Sequence, residues 1–124
     1  MSINKVLAAA ATLSLLGGCA TTSQPAPLYD WGGYQTAIYT SLVKPGSTAP
    51  AQQIAEMEQH ATLKKGKLPP GWYAHLAMLY AQNGETEKAR AALISEREAF
   101  PESAVFVNNL LATLSGKPLG ELKK

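Results

Sequence analysis

At 124 residues the chain has room for one small domain, and small domains bury only a modest share of their surface. Its composition is that of an ordinary soluble protein, 46% apolar and 16% charged, and a net charge of +2 from scattered basic residues excludes an electrostatic nucleic-acid binder. A single cysteine excludes an internal disulfide and, with two distant histidines, argues against a structural zinc site.

The first element is an address. Residues 1–18 open on a short polar start carrying Lys5, followed by an apolar run from Val6 to Leu16 softened only by Thr12 and Ser14. That run falls short of the roughly 20 residues a membrane-spanning helix needs. It has no polar face to suit a surface helix, and it fits the apolar region of a secretory signal. Leu16-Gly17-Gly18-Cys19 closes it and resembles the bacterial lipobox, Leu-x-small-Cys, with glycine a less common choice at the second position. The resemblance implies that Leu16, Gly17 and Gly18 are read by the processing enzymes. It also implies that the signal is cut before Cys19, that the Cys19 sulfur carries diacylglycerol, and that its new amine is acylated, for example with palmitate. Two or three acyl chains anchor stably, at about 0.8 kcal/mol per buried methylene. Ala20 follows the cysteine, where an Asp would retain such a protein at the inner membrane in enterobacterial-type sorting. The expected location is therefore the periplasmic face of the outer membrane.

Loss of Lys5 with the signal leaves ten basic against nine acidic side chains. Residues 19–28 read as lipidated cysteine and linker: Ala20 to Pro27, ATTSQPAP, is small and polar with two prolines and no apolar stripe. Eight such residues reach roughly 25 Å.

Residues 29–116 read as an all-α domain, because no segment alternates in the two-residue period of a strand while helical periods recur. The first expected helix, Tyr34 to Val43, places Tyr34, Ile38, Tyr39 and Leu42 inward and stops at Lys44-Pro45-Gly46. The second, Ala51 to Lys65, has Pro50 in its first turn and a stripe of Ile54, Met57 and Ala61, with Leu68 beyond Gly66. In the third, Tyr73, Leu76, Ala77 and Tyr80 share a face before the Asn83-Gly84 stop. The fourth takes Thr86 as cap, turns Ala89, Leu93 and Phe100 inward, and ends at Pro101. A fifth, within Ser103 to Leu114, presents Phe106, Val107, Leu110, Leu111 and Leu114 as one apolar stripe. Residues 117–124 read as a loose tail.

Pro70 to Ser103 resembles a tetratricopeptide repeat, a helix–turn–helix of about 34 residues. Tyr73 stands at the first large aromatic of the pattern, Leu76-Ala77 at its Leu-Gly, Tyr80 at the next aromatic, Gly84 at the turn, Ala89 at the helix contact and Pro101 at the end. Leu93 replaces the usual aromatic. Glu96 replaces a small residue, which implies that this edge faces solvent or a partner. The first two helices would form a degenerate repeat, since Tyr39 and Tyr80 lie 41 residues apart, and the fifth would cap the array. The fold expected is thus about two right-handed, tetratricopeptide-like hairpins plus a capping helix. So short an array has reason to lean on a partner or on a second copy of itself.

Candidate chemistry is sparse. Glu56 and His60 are i, i+4 neighbours, compatible with a weak metal pair or with ordinary helix surface; His75 reads as surface or partner-facing. No serine or threonine sits in a nucleophile elbow and no glycine-rich loop could cradle phosphate, so neither an active site nor a cofactor or metal is expected. Lys64-Lys65-Gly66-Lys67 could touch anionic head groups, or simply complement a helix C-terminus. Tyr29-Asp30-Trp31-Gly32-Gly33-Tyr34 packs three aromatics beside two glycines; Trp31 and Tyr34 either anchor the first helix or meet a partner or membrane interface. In repeat proteins of this kind the first helix of each pair lines the concave groove. Here that would expose Ala74, Met78, Ala81 and Gln82, joined by Thr36, Ala37 and Thr40, a neutral surface suited to a peptide or helix.

Lipobox, linker, aromatic lead-in and repeat together resemble a family of short proteobacterial outer-membrane lipoproteins of unassigned biochemical function, typically encoded near a CsgG-like lipoprotein. The resemblance implies membership of an envelope assembly and supplies no catalytic residues. The leading expectation is a non-enzymatic, membrane-anchored adaptor that holds another envelope protein. The alternatives are a regulatory lipoprotein activating a peptidoglycan synthase, which the short linker disfavours, and a small envelope hydrolase, which the residue inventory disfavours.

Overall fold

A computed structural model describes residues 25–116. Cys19, the Leu16–Gly18 motif before it and the tail 117–124 lie outside the described residues. Five α-helices follow in chain order: α1 (Tyr34–Val43), α2 (Pro50–Leu63), α3 (Trp72–Gln82), α4 (Thr86–Ala99) and α5 (Ala104–Leu114), with a 3-10 turn at Pro101–Ser103. Among the described residues no strand forms; one isolated parallel bridge pairs Tyr29 with Lys67. The chain is all-α, and each helix from α2 onward packs on the next, α3 and α4 most extensively.

Local chemistry sets the boundaries. Pro50 occupies the first turn of α2, where a missing N–H costs nothing, and Ala49 accepts the first two ladder bonds from Gln52 and Gln53. The helix ends at Leu63, two residues earlier than the sequence suggests. From Lys64 the backbone turns extended, and the Lys65 N–H donates to the Asp30 carboxylate at 2.9 Å while Lys67 C=O accepts from Asp30 N–H at 2.7 Å. Gly71 opens α3 in the left-handed region, φ +88°, and Gly84 closes it at φ +82°, with Glu85 N–H reaching back to Tyr80 C=O. Thr86 is the first residue of α4 and not its cap; Glu85 holds that place, with no side-chain cap bond.

The core lies where α2, α3, α4 and α5 meet. Ile54, Met57, Leu68, Leu76, Ala77, Tyr80, Ala89, Leu93 and Phe100 are buried as expected, and Tyr73, Ala61, Leu110, Leu111 and Leu114 pack against them half-buried. Trp72, Leu93 and Val107 are the largest enclosed side chains besides Pro69, each stabilising the fold by about 1.5–3 kcal/mol.

Several burial expectations fail. Tyr39 and Leu42 point to solvent, Leu42 at 76% exposure, because α1 touches the body chiefly through its first turn and buries no residue fully. Phe106 is exposed because α5 offers α4 only the stripe centred on Val107. Glu96 faces neither solvent nor partner: it is 2% exposed. Its carboxylate accepts N–H bonds from Gly71 at 2.7 Å, Tyr73 at 3.2 Å and Ala74 at 3.4 Å. It therefore caps α3 from the next helix, satisfying donors that every helix start leaves open and meeting the positive end of the dipole.

Candidate binding groove

The aromatic lead-in decides where α1 sits. Tyr29 packs edge-on against Phe100 and Trp31, Trp31 stacks on Tyr34, and Tyr34 leans on Trp72 with centroids 5.3 Å apart. A Cβ on Gly71 would lie 2.9 Å from the Tyr34 hydroxyl, so this glycine serves both its left-handed backbone and the Tyr34 ring. Burial, and then the negative charge of Glu96, raise the Tyr34 pKa. Gly32 lies against the His60 imidazole, which pairs with Asp30 at 3.1 Å and rests on Trp72. The Asp30 pKa is lowered, first by the Lys65 N–H bond. His60 thus has a structural partner in Asp30, and among the described residues no group of three or more His, Cys, Asp or Glu is placed to hold a metal.

Past this anchor α1 departs from α3 and leaves a groove of about 780 Å³ between them, closed at one end by the α1–α2 loop and the start of α2. Lys44 N–H bonds back to Thr40, and Gln53 Nε2 donates to the Thr48 carbonyl at 2.9 Å, so the loop is tied to both helices. Thr36, Ala37 and Thr40 line the α1 wall; Met78, 49% exposed, and Gln82 line the α3 wall. His75 also lines the groove, edge-on to Tyr34, with its Nε2 enclosed and without a hydrogen-bond partner. Burial lowers its pKa below the usual histidine value, because an enclosed ring disfavours the charged form. Lys44 and Glu56 are the charged residues of the lining.

Of the residues nominated from sequence, Met78 and Gln82 therefore meet Thr36, Ala37 and Thr40 in one groove. Ala74 does not join them: it is buried, with its N–H on Glu96. Ala81 is exposed outside the lining. Trp31 and Tyr34 anchor α1, although one edge of Trp31 stays exposed. His75, expected at the surface or facing a partner, lines the groove half-buried, while Gln53 and Trp72 are not among the residues nominated from sequence. The 3.6-residue period does hold a signal for Trp72, since Trp72, Leu76 and Leu79 recur at i, i+4 and i+7.

The family described as Domain of unknown function (DUF4810) matches residues 28–110. The chain belongs to that family. The DUF4810 span starts at Leu28, takes in the aromatic lead-in and α1 through α4, and runs into α5, so the groove lies wholly inside it. No curated protein and no solved structure matches the chain.

Proposed function

We propose that this chain is a lipid-anchored adaptor facing the periplasm from the outer membrane, and that its α1–α3 groove holds a peptide or helix of another envelope protein. The groove carries the reading: it is neutral along most of its length, has an adaptable methionine on one wall and includes the imidazole of His75 in its lining. In this reading α3 and α4 are a tetratricopeptide-like hairpin and α1 and α2 a degenerate one. The first helices of the two pairs then supply the facing walls, as concave grooves of such arrays require. Lipidation at Cys19 follows from the lipobox resemblance, and a CsgG-like lipoprotein is the partner that the family resemblance suggests. Among the described residues no helix is long and apolar enough to cross a membrane.

Cross-linking in intact cells followed by capture from membranes tests the adaptor. The expected outcome is recovery of an outer-membrane assembly or secretion component, weakened on the order of tenfold by Met78→Glu. Met78 is half exposed, so circular dichroism should be unchanged in that variant. Undiminished capture removes the groove from the proposal, and recovery of a penicillin-binding protein with stimulated glycan synthesis replaces the adaptor by the regulator. Cys19→Ala should yield an uncleaved or mislocalised precursor; normal lipidation and fractionation would overturn the anchor.

A further inference from the structure

The Lys64–Lys67 segment and the aromatic lead-in, far apart in sequence, share one surface. Asp30 is held between the Lys65 N–H and the Lys67 carbonyl, and Tyr29 bridges Lys67. Tyr29, Lys64 and Lys67 flank a shallow hollow of about 430 Å³. Leu28 precedes this junction and Leu63 adjoins it, both largely exposed, and Trp31 follows with one edge in solvent. Lys65 and Lys67 bind Asp30 through backbone atoms alone, and the ammonium groups of Lys64, Lys65 and Lys67 make no salt bridge among the described residues. Of the carboxylates at this junction, Asp30 is engaged by His60 and the Lys65 N–H, and Glu102 is the one that lines the hollow.

We infer that this face docks on an anionic phospholipid surface, with the three lysines over the head groups and Leu28, Leu63 and Trp31 at the interface. Charge complementarity favours this occupant, because three cations without salt bridges among the described residues are clustered where one carboxylate, Glu102, lines the hollow. Exposed leucines beside a half-wet indole are what an interfacial layer accepts. The tether supports it as well. Pro25 is six residues after Cys19, at most about 20 Å of extended chain, so a lipid on Cys19 would hold this side against the bilayer. The groove runs from Gly33 to the α1–α2 loop and meets α2 at Pro50, Gln53 and Glu56, whereas the lysines follow the far end of that helix at Leu63. Docking would therefore leave the loop end of the groove, at Pro50, away from the bilayer by up to the length of α2, about 20 Å. The inference deepens the anchored-adaptor reading and rests on it for orientation, while the face itself is testable without lipid.

The test uses the mature chain from residue 19 carrying Cys19→Ser, which retains every described residue, in co-sedimentation with vesicles. Binding is expected to phosphatidylethanolamine vesicles containing phosphatidylglycerol, to fall with added salt, and to be absent on pure phosphatidylcholine. Replacing Lys64, Lys65 and Lys67 together by Gln should weaken it on the order of a hundredfold, about fivefold for each lysine. Trp31 emission should shift to the blue on binding, a shift that Trp31→Phe removes while enclosed Trp72 stays silent. Equal binding to both vesicle types, no binding, or binding untouched by the triple substitution overturns the proposal. Mass spectrometry of the cellular protein for acylated Cys19 separately decides the anchor, so the two failures are distinguishable.

Discussion

At the scale of single residues, Glu96 does more for this fold than its sequence context suggests. A buried carboxylate with no cation beside it is costly unless its oxygens are filled, and three N–H groups of the α3 start fill them. Glu96→Ala strips those donors of their acceptor and should lower unfolding free energy by about 3 kcal/mol in urea titration; Glu96→Gln, which retains an acceptor, should cost about half as much. Tyr80 makes the complementary link, donating its hydroxyl from α3 to Glu58 on α2. Burial first, and that bond second, push its pKa up to about 12 from an ordinary 10.0. Between those values the folded state keeps a proton that the unfolded chain has lost, so stability falls as pH rises. The contribution is complete below pH 10 and gone once pH passes about 12. Because Glu58 is exposed, it amounts to on the order of 1 kcal/mol. Wild type minus Tyr80→Phe, measured by denaturation from pH 9 to 12, should show this alkaline loss.

At the scale of elements, helix ends separate two glycines that look alike in sequence. Gly71 and Gly84 flank α3, both left-handed, but a Cβ at Gly84 meets open space while one at Gly71 meets Tyr34. Gly84→Ala should cost about 1 kcal/mol, the backbone penalty alone. Gly71→Ala should cost clearly more, since the ring that holds α1 must also move, and thermal melts of the two variants should rank in that order. The helices themselves were largely legible in the sequence. Periodicity and the breakers Lys44-Pro45-Gly46, Asn83-Gly84 and Pro101 place all five to within two residues. The fine boundaries were less so: α2 stops early because Asp30, thirty-five positions upstream, takes the Lys65 N–H. No local pattern contains that contact.

For the whole molecule, stability is uneven. From α2 to α5 the helices share one core, whereas α1 has no fully buried residue and depends on Tyr34 over Trp72. Local opening needs only the contacts of the opening segment to be lost. Amides of α1 should therefore exchange with solvent well ahead of those in α3 and α4, and Tyr34→Ala should widen the gap without lowering the protection of α3. Hydrogen exchange followed by mass spectrometry resolves the two segments. If the groove holds a partner as proposed, α1 is the wall that shifts at least cost to the core.

What the sequence determined by itself is what depends on neighbours along the chain: helical periodicity, chain breakers and the apolar stripes of α2 to α4. Only the tertiary structure decided which exceptions to the pattern were structural. Glu96 looked like an exposed mismatch because a carboxylate is cheap to bury only where helix N–H groups converge on it, and those belong to another helix. Tyr39 and Leu42 looked like core because periodicity reports which face is apolar, not whether another element arrives to cover it.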